Sequence, residues 1–153
     1  MVSSPKVRTC LWFEKDGLEA AKFYVSLLPD SHLETDPESD APMDAAFTLA
    51  GAPYQILNGG PMYPQTEAAS ISVSTVDQNE TDRLWNALTT NGGSEGRCGW
   101  LKDRWGVSWQ IVPKALPALL GAPDRAAADR AVKAMMGMTN INIAELERTY
   151  RGE

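Results

Sequence analysis

Polar and apolar residues alternate strictly in Ser70-Ile-Ser-Val-Ser74, which marks a strand with one wet face and one packed face. Val7 to Phe13 is a second strand of β-branched, sulfur and aromatic residues. The period then changes. Leu18, Ala21, Val25 and Leu28 recur at helical spacing, with Asp16 and Glu19 set as a capping box and Pro29 as the stop. Ser31 to Asp44 is acidic and rich in Pro and Ser, predicting a short strand and an exposed loop. Strands are expected at about 45–49 and 53–58, joined through Gly51.

Much of this pattern occurs twice. Asp77 and Glu80 repeat the capping box before a helix carrying Leu84, Trp85 and Leu88, which ends at Asn91-Gly-Gly93. Gly51-Ala-Pro-Tyr-Gln-Ile-Leu57 matches Gly106-Val-Ser-Trp-Gln-Ile-Val112 position for position: glycine first, an aromatic fourth, glutamine fifth, two aliphatics after. The chain reads as two modules, each strand, helix, then about three strands, with one glutamine from each facing a shared site. Pro61 to Glu67 connects them. After Pro113 the composition turns helical. Leu116 to Leu120 is short, and Ala128, Val132, Met135 and Met136 are spaced along a longer helix. Asn142 and Glu145 form a third capping box with Ile141 and Leu146 as its staple. This tail either covers its own subunit or braces a dimer.

Charge removes some partners. A net charge of −6 and a pI near 4.8 argue against nucleic acid, which needs a basic face. The start, MVSSPK, lacks the apolar stretch of a signal peptide, and no apolar run approaches a membrane span. Cys10 and Cys98 have neither a disulfide framework nor metal spacing, so a cytoplasmic protein with reduced thiols is expected. His32 is the one histidine, which limits imidazole chemistry.

The wording TCLWF, FYVSLLPDS, ILNGGP, DRLWNAL and CGWLKDRWGVSWQIVP, with the tail MGMTNINIAELE, resembles the PhnB-like branch of the vicinal oxygen chelate superfamily. That superfamily holds glyoxalase I, bleomycin-resistance proteins and extradiol dioxygenases, and the branch is often labelled 3-demethylubiquinone-9 3-methyltransferase-like. The resemblance implies an α+β fold: two βαβββ modules forming a curved mixed sheet around a cavity, usually in a homodimer. The expected division is a domain over 1–113, with modules about 5–60 and 68–113, and a helical extension over 114–153. Metal-using members place a His or Gln on the first strand and a Glu on the last strand of each module. By the internal repeat those positions fall at Gln55 and Gln110 and at or beside Thr9 and Ser70, with Arg8 as an option. Neutral amide and hydroxyl oxygens are poor ligands for zinc, nickel or iron, so neither a metal nor another cofactor is expected.

Alternation gives the pocket its expected lining. With Gln110 inward, Ser108 and Val112 follow, while Trp109 and Ile111 face the helices. Ser70, Ser72 and Ser74 line the same surface, with Gln55 and Leu57, and Thr9, Leu11 and Phe13, from the first module. Trp100 and Trp105 are the tryptophans best placed as ligand platforms. This uncharged, hydrogen-bonding wall suits a small polar or aromatic molecule. Cys98 near Arg97, Lys102 and Arg104, solvent-facing His32, and the acidic pairs Asp36/Glu38 and Asp40/Asp44 are weaker candidates for chemistry. Lys102-Asp103-Arg104 reads as a solvated hairpin, with a charged lid as the other option. The residues favour a metal-free small-molecule binding protein. The alternative is an enzyme: a metal-dependent lyase, dioxygenase or isomerase, or the methyltransferase of the family label. No glycine-rich turn of the kind that holds a methyl donor follows the first strand.

Overall fold

The computed structural model describes residues 4–36, 38 and 43–153. Asp40 of the expected acidic loop lies outside them. The chain divides into two compact units, residues 1–65 and 66–153.

The first unit runs β1 (Thr9–Phe13), α1 (Gly17–Leu27), β2 (His32–Leu33), β3 (Asp44–Leu49) and β4 (Ala52–Asn58). Its sheet order is β1-β4-β3-β2, with β1 parallel to β4 and the other pairs antiparallel. One face carries Leu11, Phe13, Phe47 and Ile56, all buried with Ala20, Ala21 and Tyr24 of α1. Tyr24 lies 6.3 Å from the Phe47 ring, and Phe47 stacks on Tyr54 at 5.2 Å. The buried stripe of α1 is Gly17, Ala20, Ala21, Tyr24 and Leu27, which shares only Ala21 with the expected Leu18, Ala21, Val25 and Leu28. Small residues bring the helix close to the sheet while Tyr24 fills the remaining depth. A Cβ at Gly17 would stand 2.0 Å from Ile56 Cγ2, so no other residue fits there unless the strand moves.

The expected cap at Asp16 is also absent. Its side chain makes no capping bond, and Asn58 Oδ1 accepts the Gly17 N–H at 2.9 Å instead. A strand end thus closes the helix start, which no local sequence pattern announces.

The second unit repeats the order: β5 (Ile71–Thr75), α2 (Gln78–Thr89), β6 (Ser94–Glu95), β7 (Trp100–Lys102) and β8 (Ser108–Pro113). The sheet order β5-β8-β7-β6 matches the first, again with its first pair parallel. Here the cap forms, with Glu80 N–H donating to Asp77 Oδ1 at 2.9 Å and Glu80 reaching back to the Val76 N–H. Trp85 and Trp109 are buried between helix and sheet. Each unit therefore holds one βαβββ module, and the fold is α+β.

The tail continues the second unit as α3 (Ala115–Leu120), α4 (Arg125–Met136) and α5 (Ile143–Arg151). Leu116, Ala131, Ile141 and Leu146 form its core, so the expected staple of Ile141 and Leu146 is made. In α4 the buried residues are Ala127, Ala128 and Ala131; of the expected Ala128, Val132, Met135 and Met136 face, Ala128 is buried, Met135 packs partly buried against this core, and Met136 is exposed. The tail also pairs through its backbone: Cys98 N–H donates to Met138 O and Gly99 N–H to Thr139 O, both at 2.8 Å. Gln78 of α2 accepts the Ile143 N–H at 2.8 Å and donates to Ile141 O at 2.9 Å.

Arg8 ties β1 down, donating to Tyr54 O at 3.0 Å and pairing with Glu34. Glu34 also accepts the Thr48 hydroxyl at 2.7 Å. The Thr48 bond first, then Arg8, hold this carboxyl below the usual carboxylate range. A depressed folded value means stability that is present above the unfolded value near 4.5 and lost as pH falls through the folded one. The thermal midpoint is accordingly expected to fall on acidification below about pH 4.5, and to fall less in Glu34→Gln. Equal slopes in the two proteins would remove Glu34 from the account.

Candidate functional site

The second module's sheet has a packed face and a polar face, and the register assigns each side chain to one. Trp109 and Ile111 pair with Ile71 and Val73, and all four are buried toward α2. Gln110 stands opposite both Ser72 and Trp100, and Ser108 opposite Lys102, so these side chains rise from the other face. Gln110 Nε2 donates to Ser70 Oγ at 2.9 Å. The register puts Ser72, Ser108, Gln110 and Trp100 on one face, and the Gln110 bond brings Ser70 to it.

Beside them is a pocket of about 280 Å³, lined by Glu67, Ser94, Glu95, Gly96, Trp100, Leu101, Lys102 and Ser108. Ser108 is only 1% exposed, and its hydroxyl has no hydrogen-bond partner. A buried hydroxyl without a partner costs about 1–3 kcal/mol, so native proteins seldom keep one for stability's sake. Lys102 Nζ pairs with Glu67 Oε1 at 2.5 Å, and this bond holds the Glu67 carboxyl below the usual range. Lys102 is foreseen only through the charged-lid option, and Glu67 not at all. The pairing of Lys102 with Ser108 across the hairpin is the signal that could have found the former.

Asp103 corrects the expected solvated hairpin. It is 2% exposed, with Oδ1 accepting the N–H groups of Trp105 at 2.9 Å and Val107 at 3.0 Å. Oδ2 accepts the Trp109 indole N–H at 2.9 Å. The aspartate is the internal frame of the β7–β8 turn, and it sets the position of Ser108 one residue past Val107. Trp105 sits in that turn with Arg104 over its ring at 5.1 Å and does not line the pocket.

In the first module the expectation fails by one residue. Gln55 pairs with Cys10 and Leu57 with Trp12, so the polar face carries Cys10 and Trp12. Thr9, Leu11 and Phe13 pair with Tyr54, Ile56 and Asn58 on the helix face, where Leu11 and Phe13 are buried. The link from Phe13 to the helix cap is one residue longer than the link from Thr75 to Asp77. Aligning the helices therefore misaligns the strands, and a one-residue slip turns every side chain to the opposite face. Trp12 packs under the chain at Gly59, where a Cβ would meet its ring at 2.2 Å, and its indole N–H donates to Gly60 O at 2.8 Å. His32 is exposed as expected, and Cys10 and Cys98 are both free.

With this geometry in place, the comparisons assign the family. The model of the 3-demethylubiquinone-9 3-methyltransferase family matches residues 5–112. The chain belongs to that family. The PhnB protein from Bacillus cereus is 28% identical over 71% of this chain and 99% of its own, with a TM-score of 0.62. A Pseudomonas aeruginosa protein is 26% identical over 72% of this chain and 98% of its own, with a TM-score of 0.57. A glyoxalase/bleomycin resistance protein from Albidiferax ferrireducens, 16% identical over 72% and 99%, shares the fold at a TM-score of 0.50. No protein of curated function matches the sequence. The fold is that of the vicinal oxygen chelate superfamily.

The donor set does not suit the divalent metal used by some of that superfamily. The polar faces offer Cys10, Gln55, Ser70, Ser72 and Gln110, with Arg8 committed to Glu34. Apart from one thiol these are neutral amides and hydroxyls. Among the described residues no three His, Cys, Asp or Glu gather into a group able to hold a metal ion. Among the same residues no helix is long and apolar enough to cross a membrane.

Proposed function

We propose that this PhnB-like chain binds a small molecule directly through protein side chains, on the polar face of its second module. Trp100 supplies an aromatic wall, Ser108 and Lys102 supply donors, and Ser70, Ser72 and Gln110 extend the hydrogen-bonding surface. Gln55 and its neighbours form the corresponding polar face of the first module. The observation that carries the reading is the Ser108 hydroxyl, buried in a pocket wall and unbonded. Such a group is satisfied by what enters the pocket. Among the described residues no histidine or unengaged buried carboxylate lines the pocket to act as a general base, which favours binding over catalysis. The reading includes a homodimer located in the cytoplasm, supported by the superfamily resemblance and the free thiols. Sedimentation velocity tests the dimer.

The test combines elemental analysis of untagged protein with a thermal-shift screen of small aromatic and quinone-like compounds. The expected results are no retained stoichiometric metal and at least one stabilising compound. Ser108→Ala is expected to match or exceed wild-type stability, by up to about 1–3 kcal/mol, because it deletes an unsatisfied group. The same variant is expected to lose the ligand-induced shift. A metal that survives gel filtration, or an unchanged shift in Ser108→Ala, would overturn the reading.

A further inference from the structure

The pocket holds one ammonium, a carboxylate already bonded to it, and one hydroxyl with nothing to bond. Lys102 and Ser108 are opposed across β7 and β8, so their side chains stand side by side on one face. Two donors on neighbouring side chains can each meet one oxygen of a carboxylate. The protein already displays the pairing in the Lys102–Glu67 bond at 2.5 Å. The two partners are anchored differently. Lys102 is rooted in a strand, whereas Glu67 stands on the irregular segment before β5 with 61% of its side chain exposed. Glu67 can therefore swing into water without unpacking anything, and water screens what it gives up. The other carboxylate in the lining, Glu95, is held by the Trp85 indole N–H at 2.7 Å and pairs in register with Leu101, on the helix face.

We infer that the ligand is a small planar carboxylic acid, and that Glu67 stands in for its carboxylate in the free protein. This rests on the pocket being the ligand site. The incoming carboxylate displaces Glu67 from Lys102 Nζ and accepts the Ser108 O–H, and the ring lies along Trp100. The site thus masks its own cation, and it admits an acid that competes with Glu67 while a lone neutral ring gains nothing from Lys102.

Calorimetric titration of the full chain with benzoate and its neutral analogue benzamide tests this. Benzoate is expected to bind at least about tenfold more tightly than benzamide, the lower end of what a charge-assisted hydrogen bond contributes. Lys102→Met is expected to remove that margin. Glu67→Gln, which deletes the competing charge, is expected to tighten benzoate several-fold. Both side chains are partly exposed, so both variants are expected to keep the wild-type circular dichroism and melting point. Benzamide binding as tightly as benzoate would overturn the acid while leaving the pocket in place. Weaker or unchanged benzoate binding in Glu67→Gln would overturn the stand-in role. Binding of neither probe to the wild type would overturn the acid, while the pocket itself stands or falls on the Ser108→Ala screen.

Discussion

Asp103→Ala is expected to lower the unfolding free energy by about 3–5 kcal/mol, a large part of the ~5–15 kcal/mol of a typical domain. The change takes the carboxylate away from three N–H donors, those of Trp105, Val107 and the Trp109 indole. Val107 and Trp109 are buried at 3% and 1% exposure, so water cannot replace the lost oxygens without opening the turn. Asp103→Asn keeps an oxygen for the backbone pair but presents an amide N–H₂ to an indole N–H, and is expected to cost about 1–3 kcal/mol. Urea unfolding followed by far-ultraviolet circular dichroism measures both. A loss under about 1 kcal/mol for Asp103→Ala would mean that the turn is held by its backbone bonds alone.

Leu146→Ala is expected to cost about 2–5 kcal/mol, the range for a fully enclosed leucine whose neighbours cannot collapse. Leu146 is 0% exposed and packs with Leu116, Ala131 and Ile141, elements separated along the tail. The tail is in turn bonded to the turn before β7 and to Gln78 of α2. Loosening α5 therefore withdraws support from β7, the strand that carries Trp100 and Lys102. The same urea experiment, with ligand affinity measured beside it, tests both consequences. A tail that merely rested on the surface would lose less than about 1 kcal/mol.

How far the sequence could be read depended on whether the deciding contact was local. The alternation of Ser70 to Ser74 placed β5 and its two faces, because nothing but the pleat is needed to interpret it. The caps at Asp77 and Asn142 formed as spaced, each side chain accepting the N–H three residues on. The cap at Asp16 did not, because Asn58, far along the chain, supplies the acceptor. The repeat puts Thr9 and Phe13 on the polar face and the register puts them on the other, because one extra residue between β1 and α1 is invisible to an alignment of helices. Asp103 looked like a surface charge between Lys102 and Arg104. Its burial depends on the Trp109 indole, which meets it only once the hairpin has closed. The matched glutamines were legible, while the orphan hydroxyl of Ser108 needed the whole strand environment before it could be seen.

The placement of the indoles has an optical consequence. Trp85, Trp100, Trp105 and Trp109 all lie within residues 66–153, and Trp12 alone lies within residues 1–65. Trp85 and Trp109 donate to carboxylates, and Trp105 has a guanidinium over its ring. Emission from the chain is therefore dominated by one half and coloured by fixed charges. A fluorescence melt follows the second module, whereas circular dichroism averages both. Coincidence of the two curves would mark the halves as one cooperative unit, and separation would give each its own stability.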